Sequence, residues 1–331
     1  MSAPEMRTTQ LTQTRETQSF YRRVVARLER HAAKLLAAGD MAEIPDRNVR
    51  VAIAYACLEP TVTEATARLY RAAILHLIEA EPGERDWDVL KIIDPEPSAS
   101  ESDRQDELRE KRARNLQTLR GAQQKAKWLS MQDWARLSEA FGRSRSIWAT
   151  PARHWITATL LTGLRPCEWR RAMLDGASLV VVNAKATNGR SHSATRTIGL
   201  GKCDRTELAI VASFLELVRS FGEDGYKTLY DGVRDLICDV ARETFPGRDR
   251  YPSLYTARHC FAARAKATYS KVEVAALMGH ASTATAGRNY AAARHARGGR
   301  PLEAEPSAND IDAVRRAQNA RNLLSEPKDM P

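Results

Sequence analysis

Four segments in the last half of this 331-residue chain carry residues suited to one kind of chemistry. The first is T-G-L-R-P-C-E at 162–168, with Arg165 and Glu168. The second is N-A-K-A-T-N-G-R at 183–190, with Lys185. The third is Y-T-A-R-H-C-F-A at 255–262, with Tyr255 and Arg258. The fourth is L-M-G-H-A-S at 277–282, with His280, followed by G-R-N-Y ending at Tyr290. A phosphodiester under attack gains negative charge on its non-bridging oxygens, and fixed cations that meet this charge lower the barrier. Arginine suits the task because its planar fork can bind two phosphate oxygens at once. Two arginines on separate elements can therefore clamp one phosphate. Tyrosine has a reference pKa of about 10, so as a nucleophile it needs nearby cations or a proton acceptor. Lysine can protonate a leaving oxygen, and histidine can hydrogen-bond the phosphate or move a proton. These segments lack a carboxylate cluster of the kind that holds Mg²⁺, so the scheme is expected to run without metal or cofactor.

The elements around these residues follow from periodicity and turn chemistry. Phe20, Val24, Val25, Leu28, Ala32 and Leu35 recur at helical spacing and predict a helix from about 19 that closes at Gly39-Asp40. Further helices are expected over 48–58 and 63–80, the latter with Ala67, Tyr70, Ile74, Leu75 and Ile78 on one face, and a short element around Trp87–Ile92. Pro95 to Ser102 reads as a break, followed by a long charged helix over 103–126. Ser130 with Asp133 three residues on marks a new helix start. Helices are expected over 131–141 and 150–162, and Pro166 suits the first turn of another. Residues 178–183 and 195–200 read as two strands joined across Asn188-Gly189. Helices follow over 205–221, 228–244, 256–269, 271–278 and 283–293, with a last one over 308–324 capped by Ser307 or Asn309. The fold class expected is mainly α with a small β-hairpin or sheet (α+β). The domains expected are a mobile arm (1–14), a helical domain (15–92), a linker with a basic helix (93–127), a second domain (128–300) and a C-terminal tail helix (301–331).

Composition narrows the partner. The net charge is +10 with a sequence pI near 9.5, which favours a polyanion. The charge is uneven: residues 111–127 hold six Lys or Arg and no acid, and residues 255–300 hold eight against the single Glu273. No apolar run approaches the roughly 20 residues that span a bilayer, so nucleic acid is preferred to membrane. The five cysteines (57, 167, 203, 238 and 260) form no C-x-x-C pair. Scattered thiols with no recognisable signal peptide predict a reducing, cytoplasmic setting.

In order and wording, the four segments resemble the tyrosine recombinase (phage integrase) family. The resemblance covers about residues 128–293, roughly half the chain. It implies a two-domain DNA clamp, with a helical core-binding domain and a catalytic domain. It also implies strand cleavage and rejoining through a covalent 3′-phosphotyrosine intermediate. Carried over residue by residue, Arg165 and Arg258 are the phosphate clamp, Lys185 the hairpin lysine, His280 the third-box histidine and Tyr290 the nucleophile, while Glu168 buttresses the clamp. The implied partner is double-stranded DNA with inverted half-sites, bound by a homodimer on one site and a homotetramer in the synapse, for a mobile element in a bacterial cytoplasm or nucleoid. Two departures stand out. Tyr255 occupies the position where the family usually has histidine, and His280 and Tyr290 stand ten residues apart, one more than the commonest spacing. Two alternatives remain open at this point: a telomere resolvase that seals DNA ends into hairpins, and a non-catalytic DNA-binding protein on the same scaffold.

Overall fold

A computed structural model describes residues 15–94, 125–184, 186, 191–296 and 300–325. The chain divides into two compact units, Met1–Arg120 and Gly121–Pro331. The expected arm and most of the basic linker helix lie outside the described residues. At the linker's end, Lys125 pairs with Tyr251 in an isolated bridge and the Ala126 N–H donates to the Tyr251 carbonyl at 2.8 Å, so these two residues are extended rather than helical.

The first unit is built from α1 (Arg15–Ala38), α2 (Arg47–Leu58), α3 (Glu64–Ala80) and α4 (Asp86–Ile93). Asp46 caps α2 by accepting the Val49 N–H at 3.0 Å, and Thr63 caps α3 through the Thr66 N–H at 3.2 Å. Val24, Val25, Leu28, Ala52, Tyr55, Ala67, Tyr70, Ile74 and Val89 interlock as its core. Two residues assigned to buried stripes point outward instead: Phe20 is 41% and Leu75 43% exposed. Both sit next to true core positions, and a 3.6-residue period cannot separate a stripe's edge from its centre.

The second unit is mainly helical with one small antiparallel sheet. Its elements are α5 (Met131–Arg143), α6 (Ala149–Thr162), a 3₁₀ turn (Pro166–Arg171), β1 (Met173–Asp175), β2 (Ser178–Val182), β3 (Thr195–Gly199), α7 (Arg205–Thr244), α8 (Leu254–Thr268), α9 (Lys271–Met278), α10 (Thr283–Asn289), a 3₁₀ turn (Ala293–Ala296), β4 (Glu305–Pro306) and α11 (Ala308–Ser325). Strand order is β1-β2-β3-β4, all antiparallel, with Ser178 opposite Gly199 and Val182 opposite Thr195. The two outer strands are additions to the hairpin read from sequence. At three and two residues, they are too short to show an alternation. Pro166 opens a 3₁₀ turn rather than an α-helix. The two helices expected over 205–244 form one element broken only at Gly222. Helix α10 is shorter than expected and stops at Asn289.

Helix α6 is apolar nearly all round and lies at the centre of this unit, with Ala152, Trp155, Ile156 and Ala158 buried against α7 and α8. It ends at Gly163, which is left-handed (φ 66°). A Cβ there would stand 2.3 Å from the Phe261 ring of α8. Gly163 thus serves twice: it takes a conformation other residues resist, and it lets α8 approach the turn that carries Arg165. Gly163→Ala is expected to destabilise the protein by roughly 2–4 kcal/mol, the sum of left-handed strain and overpacking. Urea unfolding of the full chain checks it.

The last helix packs on its own unit. Val314 of α11 is buried against Ala275 and Ala276 of α9. Ser307 caps α11 by accepting the Asp310 N–H at 3.2 Å. Asp310 in turn accepts the Thr197 N–H of β3 at 2.8 Å and lies 2.9 Å from His192 Nε2. No helix among the described residues is long and apolar enough to cross a membrane.

Candidate active site

The turn after α6, strand β3 and helix α8 bring three arginines onto one carboxylate. Glu168 is buried in the 3₁₀ turn and accepts the Arg165 backbone N–H at 2.7 Å, Arg165 Nη1 at 2.6 Å and Arg196 Nη2 at 2.8 Å. Arg258 Nη1 lies 3.8 Å from the same carboxylate. Three cations around one anion leave a surplus of two positive charges in a buried setting. Burial pushes the Glu168 carboxyl up, but Arg196, Arg258 and Arg165 outweigh it, and the group is held far below the usual carboxylate range. Arg165, Arg196 and Arg258 are each at most 4% exposed. Cations buried with so few counter-charges stabilise an added anion.

Helix α8 positions Arg258 by pointing it beneath the Gly163 turn. Its Nη1 donates to the Gly163 carbonyl, its Nη2 to the Met278 carbonyl at 2.9 Å, and its Nε to the Tyr290 hydroxyl at 3.0 Å. A guanidinium has five N–H groups, of which these contacts use three. Tyr290 stands just past α10 in extended conformation (φ −121°, ψ 164°), rather than on the helix where periodicity put it. Burial opposes its phenolate, but the charges of Arg258 and Arg165 prevail, and its pKa falls below the ordinary tyrosine value. Tyr255, in the first turn of α8, goes the other way. It is 39% exposed, and burial of its phenol edge raises its pKa despite Arg258 and Arg165. The two tyrosines therefore differ chemically, and only Tyr290 receives the arginine hydrogen bond.

His280 follows Gly279, a left-handed glycine (φ 67°) that closes α9. A Cβ at Gly279 would stand 2.5 Å from Asn183 Oδ1 and 2.8 Å from Arg196 Nη1, so glycine admits both side chains here. The His280 ring is buried with its centroid 5.6 Å from that of Tyr290, and neither ring nitrogen has a partner among the described residues. Burial and then the three arginines push its pKa down to about 2, so it is neutral and offers one donor and one acceptor nitrogen. A buried polar ring without a protein partner is costly and calls for an explanation such as ligand contact.

The structure thus gathers Arg165, Glu168, Arg258, His280 and Tyr290, with Tyr255 at the margin. Lys185 lies outside the described residues. Sequence reasoning missed four neighbours. Arg196 occupies the inward phase of β3 shared with Ile198, and a charge in a strand's apolar phase was the available signal. Asn183, which accepts from Arg196 Nη1, closes β2. His259 packs its ring 5.2 Å from Tyr290 and is pushed down to about 4 by burial and by Lys127, Arg258 and Lys266. Lys266 donates to the backbone carbonyls of Tyr290 and Ala291 at 3.2 and 2.8 Å. It lies seven residues beyond His259, on the same helical face.

No family model matches the chain, and no curated protein is significantly similar to it. Among solved structures, it is similar to the XerH site-specific recombinase bound to its difH substrate in a pre-cleavage complex. Identity there is 14%, over 84% of this chain and 71% of that one, with a TM-score of 0.40. It is likewise similar to XerH on a palindromic difH substrate in a post-cleavage complex, at 15% identity over 84% and 72% of the two chains, with a TM-score of 0.39.

Proposed function

We propose that this chain is a site-specific DNA recombinase of the tyrosine type, with Tyr290 as its nucleophile. One observation carries the reading: the Tyr290 hydroxyl accepts a hydrogen bond from a buried arginine, in a cluster holding two uncompensated positive charges, and its pKa is lowered. The Tyr290 oxygen attacks the phosphorus and forms a phosphotyrosine bond to the 3′ side of the break. The bond to the 5′ oxygen breaks, and that oxygen leaves with a proton. Arg165 and Arg258 meet the charge that develops on the non-bridging oxygens. The phenol proton passes to solvent, and neutral His280 donates a hydrogen bond to a phosphate oxygen. Tyr255 donates its hydroxyl to the phosphate in place of the usual histidine, Glu168 holds the clamp arginines in position, and Lys185 protonates the leaving oxygen. Attack by a 5′ hydroxyl on the phosphotyrosine reverses the step and rejoins DNA without an external energy source.

In this proposal the helical first unit and the catalytic second unit both contact the duplex, two protomers bind inverted half-sites and four assemble for exchange. A mobile element is the setting proposed for such an enzyme. The test uses nicked duplexes built from inverted repeats flanking the gene. The nick lets the short 5′ fragment diffuse away and traps the intermediate. Wild type should give an SDS-resistant protein–DNA adduct, and Tyr290→Phe should give none. Absence of any adduct with wild type across these duplexes, or an undiminished adduct in Tyr290→Phe, overturns the reading.

A further inference from the structure

Helix α8 grips the Tyr290 residue at three levels. Arg258 donates to its hydroxyl at 3.0 Å, the His259 ring packs 5.2 Å from its ring, and Lys266 Nζ donates to its backbone carbonyl at 3.2 Å and to that of Ala291 at 2.8 Å. The third contact does a job that the local chain leaves undone. Helices α6 and α9 close with left-handed glycines, Gly163 and Gly279, whose backbone N–H groups return to the helix. Helix α10 ends in an extended tyrosine instead. The carbonyls at and beyond its C-cap need donors from elsewhere, and a cation suits the negative end of a helix.

Helix α10 also borders an open space on the Lys266 side. A cavity of about 410 Å³ is lined by Lys266, Tyr269, Val274, Thr283, Ala286 and Gly287, which brings together the ends of α8 and α9 and the inner face of α10. This seven-residue helix packs on the core through Ala286 and leaves Gly287 over the space. The open space and the Lys266 tie to the backbone at its end belong to one mechanical arrangement. Displacement of a reacting group by about 1 Å can cost about 100-fold in rate.

We infer that Lys266 is a positioning residue for the nucleophile: by holding the Tyr290 and Ala291 carbonyls, it sets the reach of the Tyr290 hydroxyl toward Arg258 and the phosphate. This role rests on the proposed strand-transfer reaction, but the geometry behind it can be tested without DNA. The lowered pKa of the Tyr290 phenol, set by Arg258 and Arg165 once burial is offset and coupled also to the Lys266 charge, supplies one readout, and the rate of adduct formation supplies the other.

The experiment uses the full chain labelled with ¹³Cζ-tyrosine, with the Tyr290 resonance assigned by its loss in Tyr290→Phe. Lys266→Met keeps the length and packing of the stem and removes the donors. Its Tyr290 resonance should titrate at higher pH than in wild type, and Lys266→Arg should restore the wild-type titration. With the nicked duplexes, Lys266→Met should form adduct about 10- to 100-fold more slowly at unchanged DNA affinity, with recovery in Lys266→Arg. An unaltered Tyr290 titration in Lys266→Met overturns the inference, and so does an unaltered rate of adduct formation. Failure of wild type to form adduct sinks the proposed function instead, while the titration still decides whether Lys266 sets the position of Tyr290.

Discussion

Replacing Glu168 by Gln should destabilise the protein by roughly 3–5 kcal/mol, the loss expected when a buried charge network is deprived of its one counter-ion. Glu168 accepts from Arg165 and Arg196 and lies close to Arg258. The amide keeps the shape but removes the one carboxylate that, among the described residues, meets these three buried cations. The pH dependence follows from the direction of the Glu168 shift. Its folded pKa is depressed below the unfolded value of about 4.3, so its contribution is fully present above that value and declines as pH falls through the folded pKa. The gap between wild type and Glu168→Gln should therefore be constant from neutral pH to mildly acid pH and narrow only below about pH 4. Urea unfolding of the full chain by tryptophan fluorescence suits the measurement, because five of the six tryptophans lie in the second unit. A loss below about 1 kcal/mol, the range of an exposed pair, would show that the cluster does not depend on this carboxylate.

Arg165→Ala and Arg258→Lys should each slow adduct formation by at least about 100-fold while leaving much of the DNA binding intact. The reasoning is differential: these cations meet charge that grows only as phosphorus is attacked, whereas affinity for the duplex is spread over many phosphate contacts. Lysine at 258 keeps the charge but has no Nε–H for the Tyr290 hydroxyl and no fork for two oxygens. The pH–rate profile should move with it. Wild-type cleavage should level off below the ordinary tyrosine pKa of about 10, because Arg258 and Arg165 favour the phenolate over the cost of burial. In Arg258→Lys that plateau should shift upward. Single-turnover adduct formation at fixed salt separates the rate from binding. Equal losses of rate and affinity would assign these arginines to DNA binding alone.

Much of the site was legible because its chemistry comes in short local words. Arg165 and Glu168 share one turn, Tyr255 and Arg258 share one helix start, and His280 follows a glycine that ends a helix. Each word fixes its own geometry through a cap or a turn. Arg196 and Lys266 were not legible in the same way. Arg196 meets Glu168 across 28 residues and Lys266 meets Tyr290 across 24, so their roles depend on tertiary packing that no local spacing encodes. The boundary at Tyr290 was lost for a related reason. The stretch after Asn289 is rich in alanine and reads as helix on propensity alone, yet Tyr290 is extended, with Lys266 holding its backbone and Arg258 its hydroxyl. Strand β4 escaped notice because Glu305 and Pro306 carry no alternating pattern. The pairing of β4 with β3 and the contacts of Asp310 with Thr197 and His192 bring the last helix onto its own unit.

The most direct test of the central claim is to locate the covalent bond. The adduct formed on a nicked duplex is digested with nuclease and protease, and the peptide that retains a nucleotide is sequenced by mass spectrometry. The account predicts a 3′-phosphonucleotide on Tyr290, in the peptide between Arg288 and Arg294. A nucleotide on Tyr255, or on any residue other than Tyr290, would contradict it.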